Sequence, residues 1–119
     1  MEYLWTTITV KSMEESLEFY QNVLSLPINN RMKMPSGEIV FLGDGETKIE
    51  LIYHEGEESF SSGKNISIGL SVENLDAFME MLKEKGIPIA EGPFAPNPSL
   101  RFCFVHDPNG VRVQLVERT

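Results

Sequence analysis

Residues 4–28 read LWTTITVKSMEESLEFYQNVLSLPI, and the reading of the rest of the chain follows from this stretch. Leu4, Thr6, Ile8 and Val10 fall on one side and Trp5, Thr7 and Thr9 on the other, the period-two signature of a strand. Ser12 before Met13-Glu14-Glu15 is a helix start, with the serine oxygen as cap. Met13, Leu17, Tyr20 and Leu24 then recur at helical spacing and form one apolar stripe. Pro27 is expected to stop that helix.

Working outward, strands are predicted over residues 28–34, 38–42 and 47–54, divided by the turn sequences Pro35-Ser36-Gly37 and Gly43-Asp44-Gly45. Residues 55–64 are polar and acidic and read as a surface connection, in which Glu55, Glu57 and Glu58 have no assigned role. The same order then returns: a strand at 66–72, a cap at Asn74, a helical stripe of Leu75, Met79 and Leu82, and a stop at Gly86. Further strands are predicted at 87–91, 101–106 and 111–116, with the proline-bearing residues 92–99 as a loop and Asp107-Pro108-Asn109-Gly110 as a tight turn. Laid on each other, Val10 matches Val72 and Leu17 matches Met79, while Ile49-Glu50-Leu51 matches Val113-Gln114-Leu115. The inference is one α+β domain, residues 1–119, made of two βαβββ repeats at about 1–56 and 64–119. Together they are expected to form a cupped mixed eight-stranded sheet with helices outside.

Composition narrows the function classes. The 119 residues carry 10 Lys and Arg against 18 Asp and Glu, a formal charge of -8 that repels nucleic acid and anionic lipid. No apolar run approaches the ~20 residues of a membrane span. The first residues read as a strand, without the basic flank of a signal peptide. A lone Cys103 cannot form an internal disulfide and fits a reducing compartment, so a cytoplasmic location is expected. Phosphate loops, paired zinc-ligand cysteines and Gly-x-Ser-x-Gly nucleophile turns do not occur in the sequence.

The duplicated unit resembles the vicinal oxygen chelate superfamily, which includes glyoxalase I, extradiol dioxygenases, fosfomycin-resistance enzymes and bleomycin-binding proteins. The resemblance is carried by Phe19-Tyr20 with Leu24-Ser25-Leu26, and by residues Phe104 to Gly110 running into Val113-Gln114-Leu115-Val116-Glu117. It implies a homodimer and a small-molecule ligand or substrate. In the glyoxalase-like members four side chains bind a divalent metal, and the matching positions here are Trp5, Glu50, Ser67 and Gln114. An indole offers a metal no lone pair and a serine hydroxyl is a poor ligand, so no metal is expected; Glu50 and Gln114 are the fallback ligands should a divalent ion bind.

The residues themselves suggest two functions. Trp5, Thr7, Ser67, Gly69, Ser71 and Gln114 share a wall by alternation, a ring with convergent polar groups of the kind that holds small organic ligands. Trp5 reads equally as a plug that only packs. Arg101, where residues 92–99 re-enter a strand, could clamp a ligand carboxylate or phosphate, or be a solvated surface arginine. The alternative is a glyoxalase-like lyase or isomerase in which Glu50 serves as general base beside a carbonyl. Cys103, between Phe102 and Phe104, reads as a small apolar residue rather than a nucleophile.

Overall fold

Alternating side chains make Trp5–Thr9 strand β1, with Ile8 buried and Trp5, Thr7 and Thr9 exposed. The computed structural model describes residues 1–119 apart from Ser59, Ser61, Ser62 and Lys64, so part of the expected connection over 55–64 lies outside the described residues. The chain divides into two compact units, Met1–Ser61 and Ser62–Thr119. Each is a βαβββ repeat, so the α+β class and the duplication stand.

In unit 1, β1 is followed by helix α1 (Met13–Leu17), a π-helical segment (Glu18–Val23), and strands β2 (Ile28–Met34), β3 (Gly37–Leu42) and β4 (Lys48–His54). The sheet order is β1-β4-β3-β2, with β1 parallel to β4 and the other pairs antiparallel. Ser12 caps α1 by accepting the Glu15 N–H at 3.2 Å. Met13, Leu17 and Tyr20 pack with Ile8, Val40, Leu42, Ile49 and Leu51 in a core on the helix side of the sheet. The helical run ends before Pro27. Leu24 caps it and Ser25 takes a left-handed conformation at φ 60°, letting the Leu26 N–H reach the Tyr20 carbonyl at 3.0 Å.

Unit 2 repeats the plan with β5 (Ser67–Ser71), α2 (Leu75–Glu84), β6 (Glu91–Asn97), β7 (Leu100–His106) and β8 (Arg112–Arg118), in the order β5-β8-β7-β6. Asn74 accepts the Ala77 N–H at 2.9 Å, and Glu117 accepts the Leu75 N–H at 2.7 Å, so two side chains satisfy the start of α2. Gly86, at φ 74°, lets the chain leave the helix. Leu75 and Leu82 are buried, as are Cys103, Val105, Val113 and Leu115.

One element is displaced from its expected place. The strand predicted over 87–91 lies instead at Glu91–Asn97, in the stretch read as a loop. It is the edge strand, where missing donors are tolerated. Its regular pairs with β7 are Glu91, Phe94 and Asn97, so Pro93 and Pro96 fall in the irregular gaps between them. The turn Asp107-Pro108-Asn109-Gly110 is as expected. Asp107 Oδ1 accepts the N–H groups of Asn109 and Val111 at 2.8 and 2.7 Å, fixing the β7–β8 connection. Among the described residues no helix is long and apolar enough to cross a membrane.

Candidate functional site

Each sheet has one face under its helix and one open face, and strand alternation assigns the side chains between them. On unit 1 the register sets Thr7 beside Glu50, Glu50 beside Phe41, and Phe41 beside Asn30. Ile49 and Leu51 point into the core, so Glu50 must face the other way. Its residue is only 9% exposed, and its Oε1 accepts the Thr7 hydroxyl at 2.5 Å, the short distance of a charge-assisted bond. Trp5 stands one step along β1 on the same face, opposite Lys48. Its indole meets the Phe41 ring edge-on, with centroids 5.1 Å apart and planes at 75°. The indole is 43% exposed, so it does not act as a buried plug within this unit. Lys48 Nζ donates to the Gly45 carbonyl at 2.8 Å.

Unit 2 builds a parallel arrangement from different residues. Gly69 is beside Gln114, Gln114 beside Phe104, and Ser67 beside Arg112. Gln114 therefore occupies the place of Glu50, and Gly69 the place of Thr7. The Arg112 guanidinium lies 4.1 Å from the centroid of the Phe104 ring and pairs with Glu91 at 2.6 Å. Ser67, Ser71 and Gln114 are thus on one open face, as expected.

Arg101 is not on it. Alternation puts it with Cys103 and Val105 on the helix side, where it forms a two-pronged pair with Asp76 of α2 at 2.8 and 3.1 Å. The Arg101 guanidinium holds the Asp76 carboxyl below its ordinary range, and Asp76 in turn raises Arg101. An expected ligand clamp is instead a strut between β7 and α2. Cys103 is buried, and desolvation pushes its thiol up, which disfavours the thiolate that nucleophilic chemistry needs. His54 and His106 are exposed residues at strand ends.

The four positions implied as metal ligands do not fit a transition metal. Trp5 brings an N–H that can only donate, Ser67 a neutral hydroxyl and Gln114 a neutral amide. Glu50 alone is anionic, and one of its oxygens is committed to Thr7. Among the described residues no group of three or more His, Cys, Asp or Glu could hold an ion. Sequence reasoning gave no ligand-binding role to Phe41, Lys48, Asn30, Phe104 or Arg112. The repeat match itself carried a signal for two of them, since Lys48 precedes Glu50 as Arg112 precedes Gln114. A hollow of about 650 Å³ lies elsewhere, between α2 and residues 86–89. Its walls are mainly Met79, Ile87 and Ile89, and Asp76 on its rim is already paired with Arg101.

The model of the Glyoxalase/Bleomycin resistance protein/Dioxygenase superfamily matches residues 3–115. Lactoylglutathione lyase of Salmonella typhimurium is 31% identical over 126 residues, covering 98% of this chain and 93% of that protein. Among solved structures, the trypanothione-dependent glyoxalase I of Leishmania major superposes with a TM-score of 0.84 at 25% identity, covering 98% of this chain and 86% of that one. TnmS3, an antibiotic binding protein from Streptomyces sp. CB03234, shares the fold with a TM-score of 0.74 at 18% identity, over 100% and 97% of the two chains.

Proposed function

The chain belongs to the glyoxalase/bleomycin resistance protein/dioxygenase superfamily, and from that premise we propose that it binds a small organic ligand on its open sheet faces without a catalytic metal. The observation that carries this reading is the hydroxyl of Thr7 seated on Glu50 while the other three ligand positions hold an indole, a hydroxyl and an amide. On unit 1 Trp5 and Phe41 supply flat apolar contact and the Thr7 oxygen, its hydrogen given to Glu50, can still accept; on unit 2 Ser67 and Gln114 supply hydrogen-bonding groups of their own. Arg101 has no part in it. Cytoplasmic location and homodimeric assembly belong to the same proposal.

A second reading is favoured by the similarity to lactoylglutathione lyases and by the retention of Glu50. In it Glu50 takes a proton from the carbon beside a carbonyl, and the charge that develops on the carbonyl oxygen needs donors. Unit 1 offers the Lys48 ammonium for this, since the Thr7 hydroxyl is already given to Glu50.

Elemental analysis of protein purified without chelators, paired with an assay on lactoylglutathione, separates the two. Substoichiometric metal and no turnover are expected. About one tightly held transition metal per chain, together with turnover, would overturn the binding reading. Glu50→Gln should leave ligand affinity within a few-fold, whereas loss of turnover with intact binding would establish the lyase.

A further inference from the structure

The two units can be overlaid strand by strand, and one row of the overlay is unequal. In unit 2 that row contains Glu91, Phe104 and Gln114. Arg112, two residues before Gln114 on β8, sets its guanidinium 4.1 Å from the Phe104 ring centroid and pairs with the Glu91 carboxylate at 2.6 Å. In unit 1 the same row contains Asn30, Phe41 and Glu50. Lys48 takes the place of Arg112, for it faces Trp5 across the β1–β4 ladder as Arg112 faces Ser67 across β5–β8. Asn30 therefore stands where Glu91 stands. The cation has been kept and its acid replaced by an amide.

Two consequences follow from that replacement. Among the described residues Lys48 makes no ion pair, and its ammonium hydrogen-bonds to the Gly45 carbonyl alone. Asn30 accepts the Arg31 N–H through its own Oδ1 at 2.8 Å, and it also carries an NH2 donor where Glu91 has acceptors only. Around these groups unit 1 opens a hollow of about 290 Å³, whose apolar walls are Leu4, Trp5 and Phe41. This is the small end of the ~300–1,000 Å³ typical of ligand pockets, a space for one or two rings. The indole and the phenyl ring, set at 75°, give a flat guest one face to stack on and one edge to meet.

We infer that this hollow takes a planar aromatic carboxylate of one or two rings, with its ring against Trp5 and Phe41 and its carboxylate on Lys48. The guest does at Lys48 what Glu91 does at Arg112. Glu46 also lines the hollow and repels a second acid group, so the ligand is a mono-acid. The inference rests on the ligand-binding reading above and narrows it to a ligand class.

The probe is 2-naphthoate, compared with the neutral 2-naphthalenemethanol and the non-aromatic decanoate. Trp5 is the only tryptophan of the chain, so the single indole N–H resonance of ¹⁵N-labelled protein reports this hollow alone. Saturable movement of that resonance by 2-naphthoate is expected, with the alcohol roughly fivefold weaker and decanoate without effect. Asn30→Glu, which copies Glu91 into unit 1, should weaken 2-naphthoate about tenfold while leaving the alcohol within about twofold. Lys48→Met should lower 2-naphthoate to the affinity of the alcohol, and preserved amide dispersion shows that each variant is folded.

Equal binding of naphthoate and alcohol to the wild type overturns the inference, as does indifference of naphthoate to both substitutions. Naphthoate that moves the Thr7 or Gln114 signals but not the indole overturns it too, while leaving the broader binding reading in place. If none of the three compounds moves any open-face signal, the inference falls, and the broader binding reading stands or falls by the metal and turnover test above.

Discussion

Unit 1 sets a hydroxyl and a carboxylate side by side, Thr7 on Glu50, where unit 2 sets a hydrogen atom beside an amide, Gly69 next to Gln114. Under these open faces the cores are alike: Val10 and Val72 each donate a backbone N–H to the last strand of their own repeat, at 2.9 and 2.8 Å. Leu51 and Leu115 hold matching buried positions. A duplicated scaffold thus keeps its packing and lets its chemistry diverge, because the core tolerates little change of volume while an open face tolerates new polar groups.

The comparison can be broken most forcefully at the core. Leu51→Ala and Leu115→Ala should each cost about 2–5 kcal/mol by denaturant unfolding, and similar losses are expected because both side chains are fully enclosed. A large loss in only one would refute equal packing.

The next effect lies on the open face. Thr7→Val removes the donor from a mostly buried carboxylate and should destabilise by about 1–3 kcal/mol, whereas Gln114→Leu should be milder, since neither of its groups is charged. The sharper version transplants the pair. A Cβ at Gly69 would meet Gln114 Oε1 at 3.6 Å, an ordinary contact, so Gly69→Thr with Gln114→Glu has room to recreate it. A double-mutant cycle should return a favourable coupling of roughly 1 kcal/mol or more.

Smaller still is the difference between the two cations. Arg112→Met should cost up to about 1 kcal/mol through the Phe104 and Glu91 contacts, while Lys48→Met should stay within about 0.5 kcal/mol in the absence of ligand.

The least effect is electrostatic and confined to unit 2. The Asp76 carboxyl is held below its ordinary range by its hydrogen bond to Arg101 and by that residue's charge. Its contribution is present above the ordinary carboxyl pKa and is lost as pH falls through the depressed value. Following the Asp76 carboxyl by ¹³C NMR should show titration at lower pH in the wild type than in Arg101→Met. An unchanged midpoint would remove the strut.

Much of this architecture could be read from the sequence because the apolar periods are strong and occur twice. Seven of the expected strands form close to their expected places; the exception, β6, carries Pro93 and Pro96, which resemble loop residues until the strand is known to be an edge. The facing of Trp5, Thr7, Glu50, Ser67 and Gln114 was legible from alternation alone. That of Arg101 was not, since Phe102 and Phe104 on one side of β7 are as apolar as Cys103 and Val105 on the other. Which side chains become neighbours across strands was hidden as well. Trp5 meets Phe41, and Arg112 meets both Phe104 and Glu91, only after the register is set by backbone pairing.

The outer strands of the two sheets carry one further consequence. On the β2 border Arg31 is paired with Glu38 at 2.6 Å, so it is Lys33 that discourages an incoming chain by charge, a barrier that dissolved electrolyte weakens. On the β6 border the prolines simply lack the N–H that a docking backbone would need, and electrolyte does nothing to that. In brine or in a dense suspension, fibril-like accretion would therefore begin along β2 and spare β6.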